Sequence, residues 1–219
     1  MAGLYIIPEW FLGYDIALNL LFGIITLIVS LYAFKIYRLS SLKQSKLFGI
    51  SFSFISISYF VQSFLTIILL SKIHVNKIIS LTYFNTLYNL ALYLHILLFI
   101  LGLVTLVYMT LNVNSKKIFS LILLLSLSPF LFTHDALHLF HMVSSLLLVF
   151  IFYHYMLNLL NKKSLKNFLV TSAFGLIFIS SIIFMLALNY SIYYVIGDVI
   201  ALVAYLLILI NLIIIIGKK

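Results

Sequence analysis

Residues 133 to 142 read THDALHLFHM, which sets His134, His138 and His141 at spacings of four and three beside Asp135. Imidazoles one helical turn apart on one face can chelate zinc or a similar divalent ion, with a carboxylate from a neighbouring segment completing a tetrahedral set. His138 and His141 are therefore candidate metal ligands, to be joined by Asp15 or Asp198. The second chemistry open to these residues is b-type haem ligation, which needs two imidazoles at matched depth on facing helices. His95 and His141 are the candidate haem pair, although His141 falls several residues outward of His95 when both are counted from the centres of their segments. The chain has no cysteine, so any metal chemistry rests on histidine and carboxylate.

The elements that must position these side chains follow from composition. The chain has 219 residues, 65% of them hydrophobic and 8% charged, with a mean hydropathy of +1.29. That is more apolar surface than a water-soluble domain can bury, and it marks a membrane protein. Seven apolar stretches cover about residues 11–34, 47–70, 84–111, 118–132, 136–160, 167–189 and 192–216. Most are long enough to cross a hydrocarbon layer of ~30 Å at ~1.5 Å per residue; the fourth is short and contains Pro129. Lipid-exposed backbone must satisfy its own hydrogen bonds, and barrel strands would alternate polar and apolar residues, so these runs predict an all-α bundle of seven transmembrane helices.

The net charge of +9 is a statement about orientation. Lys35, Arg38, Lys43 and Lys46 follow the first span, Lys116 and Lys117 the third, Lys162, Lys163 and Lys166 the fifth, and Lys218 and Lys219 the last. Only Lys72 and Lys77 fall on the other side, where Glu9, Asp15, Asp135 and Asp198 also gather. The positive-inside tendency then predicts an N-terminus outside, a C-terminus in the cytoplasm and a place in the cell membrane. The basic residues suit anionic headgroups, and their placement speaks against nucleic acid. The opening MAGLYIIPEW has no charged segment followed by a cleavage site, so no removable leader is expected.

Displacing the chain against itself by 120 residues pairs Asp15 with Asp135, Lys43 with Lys163, Lys46 with Lys166, Phe48 with Phe168, Phe54 with Phe174 and Phe64 with Phe184. This register lays the first span on the fifth and the second on the sixth in the same orientation, predicting two three-helix repeats, about 11–111 and 134–216, joined by a linker helix. The resulting 3+1+3 layout resembles that of PQ-loop and sugar-transporter proteins and of microbial rhodopsins in architecture. Their motifs are missing: the last span has no lysine before Lys218 to hold retinal, and neither Pro8 nor Pro129 precedes glutamine. The phrases YDIALNLLFGIITLIVSLYAFKIYRL and YYVIGDVIALVAYLLILINLI resemble an uncharacterised group of archaeal-type seven-span proteins. The ceramidase and adiponectin-receptor group of membrane zinc hydrolases has histidines in its last helix, and this chain has none there.

Polar residues collect on single helical faces. At ~100° per residue, Asp15, Asn19, Thr26 and Ser30 share one face of the first span, and Ser51, Ser58 and Gln62 one face of the second. Tyr88 and His95 lie on the third span, His134, His138, His141 and Ser145 on the fifth, and Tyr194, Asp198 and Tyr205 on the last. An ionisable group facing lipid near mid-membrane costs at least ~2.5–3.5 kcal/mol, so these stripes are expected to turn inward. The expected result is an outward-facing polar pocket with Asp15, Asn19, Gln62, Tyr88, His95, Ser145, Asp198 and Tyr205 as ligand-binding candidates. It would serve a small ligand or cation in sensing or transport; as a sensor, the chain would need a separate signalling partner. A haem electron carrier is the alternative, and an assembly subunit of a membrane complex the third. No nucleophile elbow surrounds Ser144 or Ser145, so no catalytic residue is assigned.

Overall fold

A computed structural model describes residues 8–75, 81–113, 115–132, 135–187 and 190–217. The described elements are helical: α1 Leu12–Ser40, α2 Lys43–Val75, α3 Leu81–Leu111, α4 Lys116–Leu127, α5 Ala136–Asn161, α6 Leu165–Leu186 and α7 Ile192–Gly217. A short 3-10 turn, Glu9–Phe11, precedes α1, and a second, Ser128–Leu131, follows α4. Six of the helices, all but α4, are long and apolar enough to cross a membrane. The protein is a polytopic helical membrane protein.

The fourth span departs from expectation. Pro129 lacks the amide hydrogen that an α-helix would need there, so α4 ends at Leu127 and the chain continues as a 3-10 turn. At ~1.5 Å per α residue and ~2.0 Å per 3-10 residue, the two pieces advance about 26 Å, just under the hydrocarbon thickness of ~30 Å. Among the described elements α4 packs chiefly on α3. Leu121, Leu124 and Leu125 lie exposed on it.

The six long helices close a ring: α1 packs on α2, α2 on α3, α3 on α5, α5 on α6, α6 on α7, and α7 returns to α1. Their interior is filled by Phe22, Val29, Phe52, Ile100, Leu148, Ile151, Phe174 and Ile208, each essentially inaccessible. Their outer faces carry large exposed apolar residues such as Leu31, Leu146, Leu160 and Ile213. Only 28 to 56% of each spanning window is buried within the protein, so the bilayer must cover the remainder.

Small residues bring the helices close. Ser56 Oγ on α2 donates to the Gly23 carbonyl of α1 at 2.8 Å, Ser30 Oγ on α1 to the Gly49 carbonyl of α2 at 2.9 Å, and Ser180 Oγ on α6 to the Gly197 carbonyl of α7 at 2.9 Å. Each acceptor is a glycine, whose missing side chain lets a neighbouring hydroxyl reach the backbone, and each bond contributes about 0.6 kcal/mol. The tightest approach is at Gly102 of α3, where an added Cβ would lie 2.6 Å from Ile55 Cγ1 and 2.9 Å from the Ser51 carbonyl oxygen.

Turns and caps fix the helix ends. Ser41 takes a left-handed conformation, φ 54°, and its N–H bonds the Tyr37 carbonyl, ending α1 and reversing the chain into α2 within two residues. The Asp135 carboxylate accepts the His138 N–H at the start of α5. Ser164 accepts the Asn167 N–H at the start of α6, while Asn167 Nδ2 donates back to the Lys162 carbonyl at 2.8 Å. His134 lies outside the described residues, as do Lys77, Lys218 and Lys219.

Candidate functional site

Four side chains tie the first turns of α1, α5 and α7 to the last turns of α6, and so define one end of the bundle. Asp15, 5% exposed, accepts two hydrogen bonds on Oδ1, from the Tyr194 hydroxyl at 2.8 Å and from Asn19 Nδ2 at 3.0 Å. Tyr194 packs against Phe184 with ring centroids 5.4 Å apart, and Phe184 stacks on His141 at 5.1 Å. The chain alternates direction from there, so the other end receives Lys35, Arg38, Lys43, Lys46, Lys116, Lys117, Lys162, Lys163 and Lys166.

Just inside the acidic end the ring of helices forms a partly open cavity of about 110 Å³. A single water needs roughly 10–15 Å³ of such space, so this volume suits a few waters or one small solute. Its polar lining includes Asn19, Gln62, His95, His141, Ser144 and Asp198, and its walls are largely aromatic, including Phe22, Phe99, Phe140 and Phe184. Asp198 sits six residues into α7, about 9 Å below the first residue of that helix.

Three residues of this lining hold buried polar atoms with no hydrogen-bond partner among the described residues: Gln62 Oε1, Ser144 Oγ and Asp198 Oδ2. Leaving a buried polar group unpaired costs about 1–3 kcal/mol, and more for a charged one. Other buried hydroxyls in the bundle are paired: Thr26 Oγ1 donates to the Phe22 carbonyl of its own helix at 2.6 Å, and the Tyr59 and Tyr205 hydroxyls meet at 2.9 Å across α2 and α7.

His95 is held by a defined bond. Its Nδ1 lies 3.1 Å from the Ser58 carbonyl; a carbonyl only accepts, so Nδ1 carries the hydrogen and the neutral ring keeps its lone pair on Nε2. Tyr59, Phe99 and Phe140 pack around the ring with centroids 5.6 to 5.7 Å away.

Of the ligand-binding candidates, Asn19, Gln62, His95, Asp198 and Tyr205 line the cavity. Asp15 lies beside it, engaged by Asn19, which does line it. Tyr88 and Ser145 are not among the lining residues, and the Ser145 hydroxyl donates to the Met142 carbonyl of its own helix at 2.8 Å. The serine facing the cavity is Ser144. On α5 the inward face runs Leu137, His141, Ser144 and Leu148, rotated from the His134, His138, His141 and Ser145 stripe. The apolar members Leu137 and Leu148 at spacings of four from His141 and Ser144 are the signal that the polar stripe hid.

The metal set is not assembled. His138 is exposed at the start of α5, and among the described residues no three His, Cys, Asp or Glu side chains gather closely enough to hold a metal ion. The haem pair meets a different obstacle. His95 and His141 do border one cavity, but both rings abut Phe140, with centroids 5.6 and 5.0 Å from it, where ligation by both would require them to face one macrocycle.

Comparison of the chain with protein-family profiles, curated proteins and solved structures finds no match.

Proposed function

We propose that the chain binds a small polar or cationic solute in the cavity between its helices, for sensing or for transport across the membrane. The observation that carries this is the convergence of Gln62 Oε1, Ser144 Oγ and Asp198 Oδ2, three buried polar atoms without protein partners, on residues lining one cavity. Polar residues that served only to hold helices together would be paired with one another, as Tyr59 with Tyr205 and Asp15 with Tyr194 are.

The contact pattern supports a duplicated 3+1+3 bundle. Exchanging α1, α2 and α3 for α5, α6 and α7 turns the α3–α5 seam into the α7–α1 seam, as a two-fold relation between repeats requires, and leaves α4 as the linker. The cavity lies where both halves contribute. The basic residues at the end away from it support an orientation with the cavity toward the outside and the C-terminus in the cytoplasm.

The test is thermal unfolding of the purified chain in detergent against a panel of chloride salts and small neutral solutes, alongside the triple variant Gln62→Leu, Ser144→Ala, Asp198→Asn. Saturable stabilisation by a solute in the wild type, lost in the variant, is the expected result. Identical responses of the two proteins to every solute would overturn the proposal and leave a membrane scaffold or assembly subunit.

A further inference from the structure

We propose that the ligand of the cavity is a small primary ammonium ion, an inference that rests on the solute-binding function proposed above. The cavity's unpaired atoms are acceptors. Gln62 Oε1 and a carboxylate Asp198 Oδ2 can only accept, Ser144 Oγ can accept, and the Nδ1 bond from His95 to the Ser58 carbonyl leaves Nε2 of the neutral ring as an acceptor. Among the described residues no lysine or arginine lines the cavity, so an anion would find no positive charge there to offset its own. A primary ammonium ion brings the complementary inventory: one positive charge and three N–H donors.

The remaining wall fits the same class. Phe99 and Phe140 pack edge to face at 5.4 Å, and Phe22 lies 5.2 Å from Tyr59, so the cavity presents aromatic surface, which attracts a desolvated cation and covers a short alkyl group. One carboxylate on the lining, Asp198 at 4% exposed, matches one charge, since the hydrogen-bonding oxygen of Asp15 is already held by Tyr194 and Asn19. A hard divalent ion carries two charges, which the single carboxylate on the described lining does not offset. The space of about 110 Å³ limits the alkyl part to a few carbons.

The experiment titrates the purified full chain in detergent micelles with methylammonium, tetramethylammonium, sodium and potassium chlorides at constant ionic strength, by calorimetry and by thermal unfolding. Methylammonium is expected to bind saturably and to raise the unfolding temperature, and tetramethylammonium, which has no N–H donor, to do neither. Asp198→Asn and Gln62→Leu are each expected to weaken methylammonium binding about tenfold or more, the size of a lost hydrogen bond to a charged group, while Ser145→Ala leaves it unchanged. Should Asp198→Asn fail to fold, Gln62→Leu carries the test alone. Equal binding of tetramethylammonium, or methylammonium binding unaltered in Gln62→Leu, overturns the assignment. Saturable sodium or potassium binding without a methylammonium response, lost in Asp198→Asn, overturns the ammonium class and sustains the solute-binding function. No response to any of the four salts also overturns it, and the solute-binding function then falls only if the neutral solutes fail as well.

Discussion

Replacing Gly102 by alanine tests the packing that supports the cavity. The added methyl would meet Ile55 Cγ1 at 2.6 Å and the Ser51 carbonyl oxygen at 2.9 Å. Ile55 can rotate, but Ser51 O belongs to the backbone of α2, so relief requires the two helices to separate. Inserting a methyl into a packed interior typically costs about 1–3 kcal/mol, against a gain of up to ~1 kcal/mol from alanine's helix preference. Because one contact is to rigid backbone, the cost falls at the upper end, about 3 kcal/mol, so the net loss is about 2 kcal/mol, and at ~2–4 °C per kcal/mol for a chain of this length the unfolding temperature falls by roughly 4–8 °C. The effect reaches the cavity because Gly102 and Ser51 lie two turns from His95 and Ser58, whose bond spans the same α2–α3 contact at 3.1 Å. Thermal unfolding in detergent measures the loss, and Gly13→Ala, whose Cβ would meet nothing within 4 Å, is the control and should stay at or slightly above wild type. A Gly102→Ala protein as stable as wild type would refute the close α2–α3 approach and, with it, the account of how His95 is positioned.

Tyr194→Phe removes the 2.8 Å bond across α1 and α7 and should destabilise the protein by about 1.5–3 kcal/mol, the range for bonds to a charged group, read as a lower unfolding temperature. Asn211→Leu should act the other way: Asn211 Oδ1 is buried without a partner among the described residues and borders no part of the described cavity, so an apolar group of similar size should raise stability by about 1 kcal/mol or more. Because the chain has no cysteine, single cysteines can report orientation: Tyr14→Cys should react with a membrane-impermeant maleimide on intact cells, whereas Ser41→Cys should react only after permeabilisation. The reverse pattern would invert the proposed topology.

The spans were legible because length and hydropathy are one-dimensional properties. The expected stretches 136–160 and 192–216 match α5 and α7 to within a residue. The first two extend further, to Ser40 and back to Lys43, because long cationic side chains let a helix continue past the hydrocarbon while their charges stay in water. The fourth was overestimated because an apolar run does not reveal that Pro129 converts its last turn to 3-10 geometry. The cavity was legible in part. A buried polar or ionisable side chain must face inward, so the placement of Asp198, Gln62 and His95 on one cavity follows from the cost of exposing them to lipid. Ser144 and Ser145 differ by one residue, which is ~100° around the helix, and only the packing of Phe140 and Leu148 shows which of them faces the interior. Tyr194 likewise bonds Asp15 from another helix, a pairing that no spacing along the chain encodes.

The two-residue reversal at Ser41 and Leu42, and the Asn167 clamp on the turn after α5, bear on how the protein is made. Antiparallel neighbours joined this tightly can pair as soon as both have been made, whereas helices far apart in the chain cannot. Asp15 then waits for Tyr194, 179 residues later. The cavity is therefore complete only once α7 has joined the bundle, and until then Asp15 lacks its Tyr194 bond.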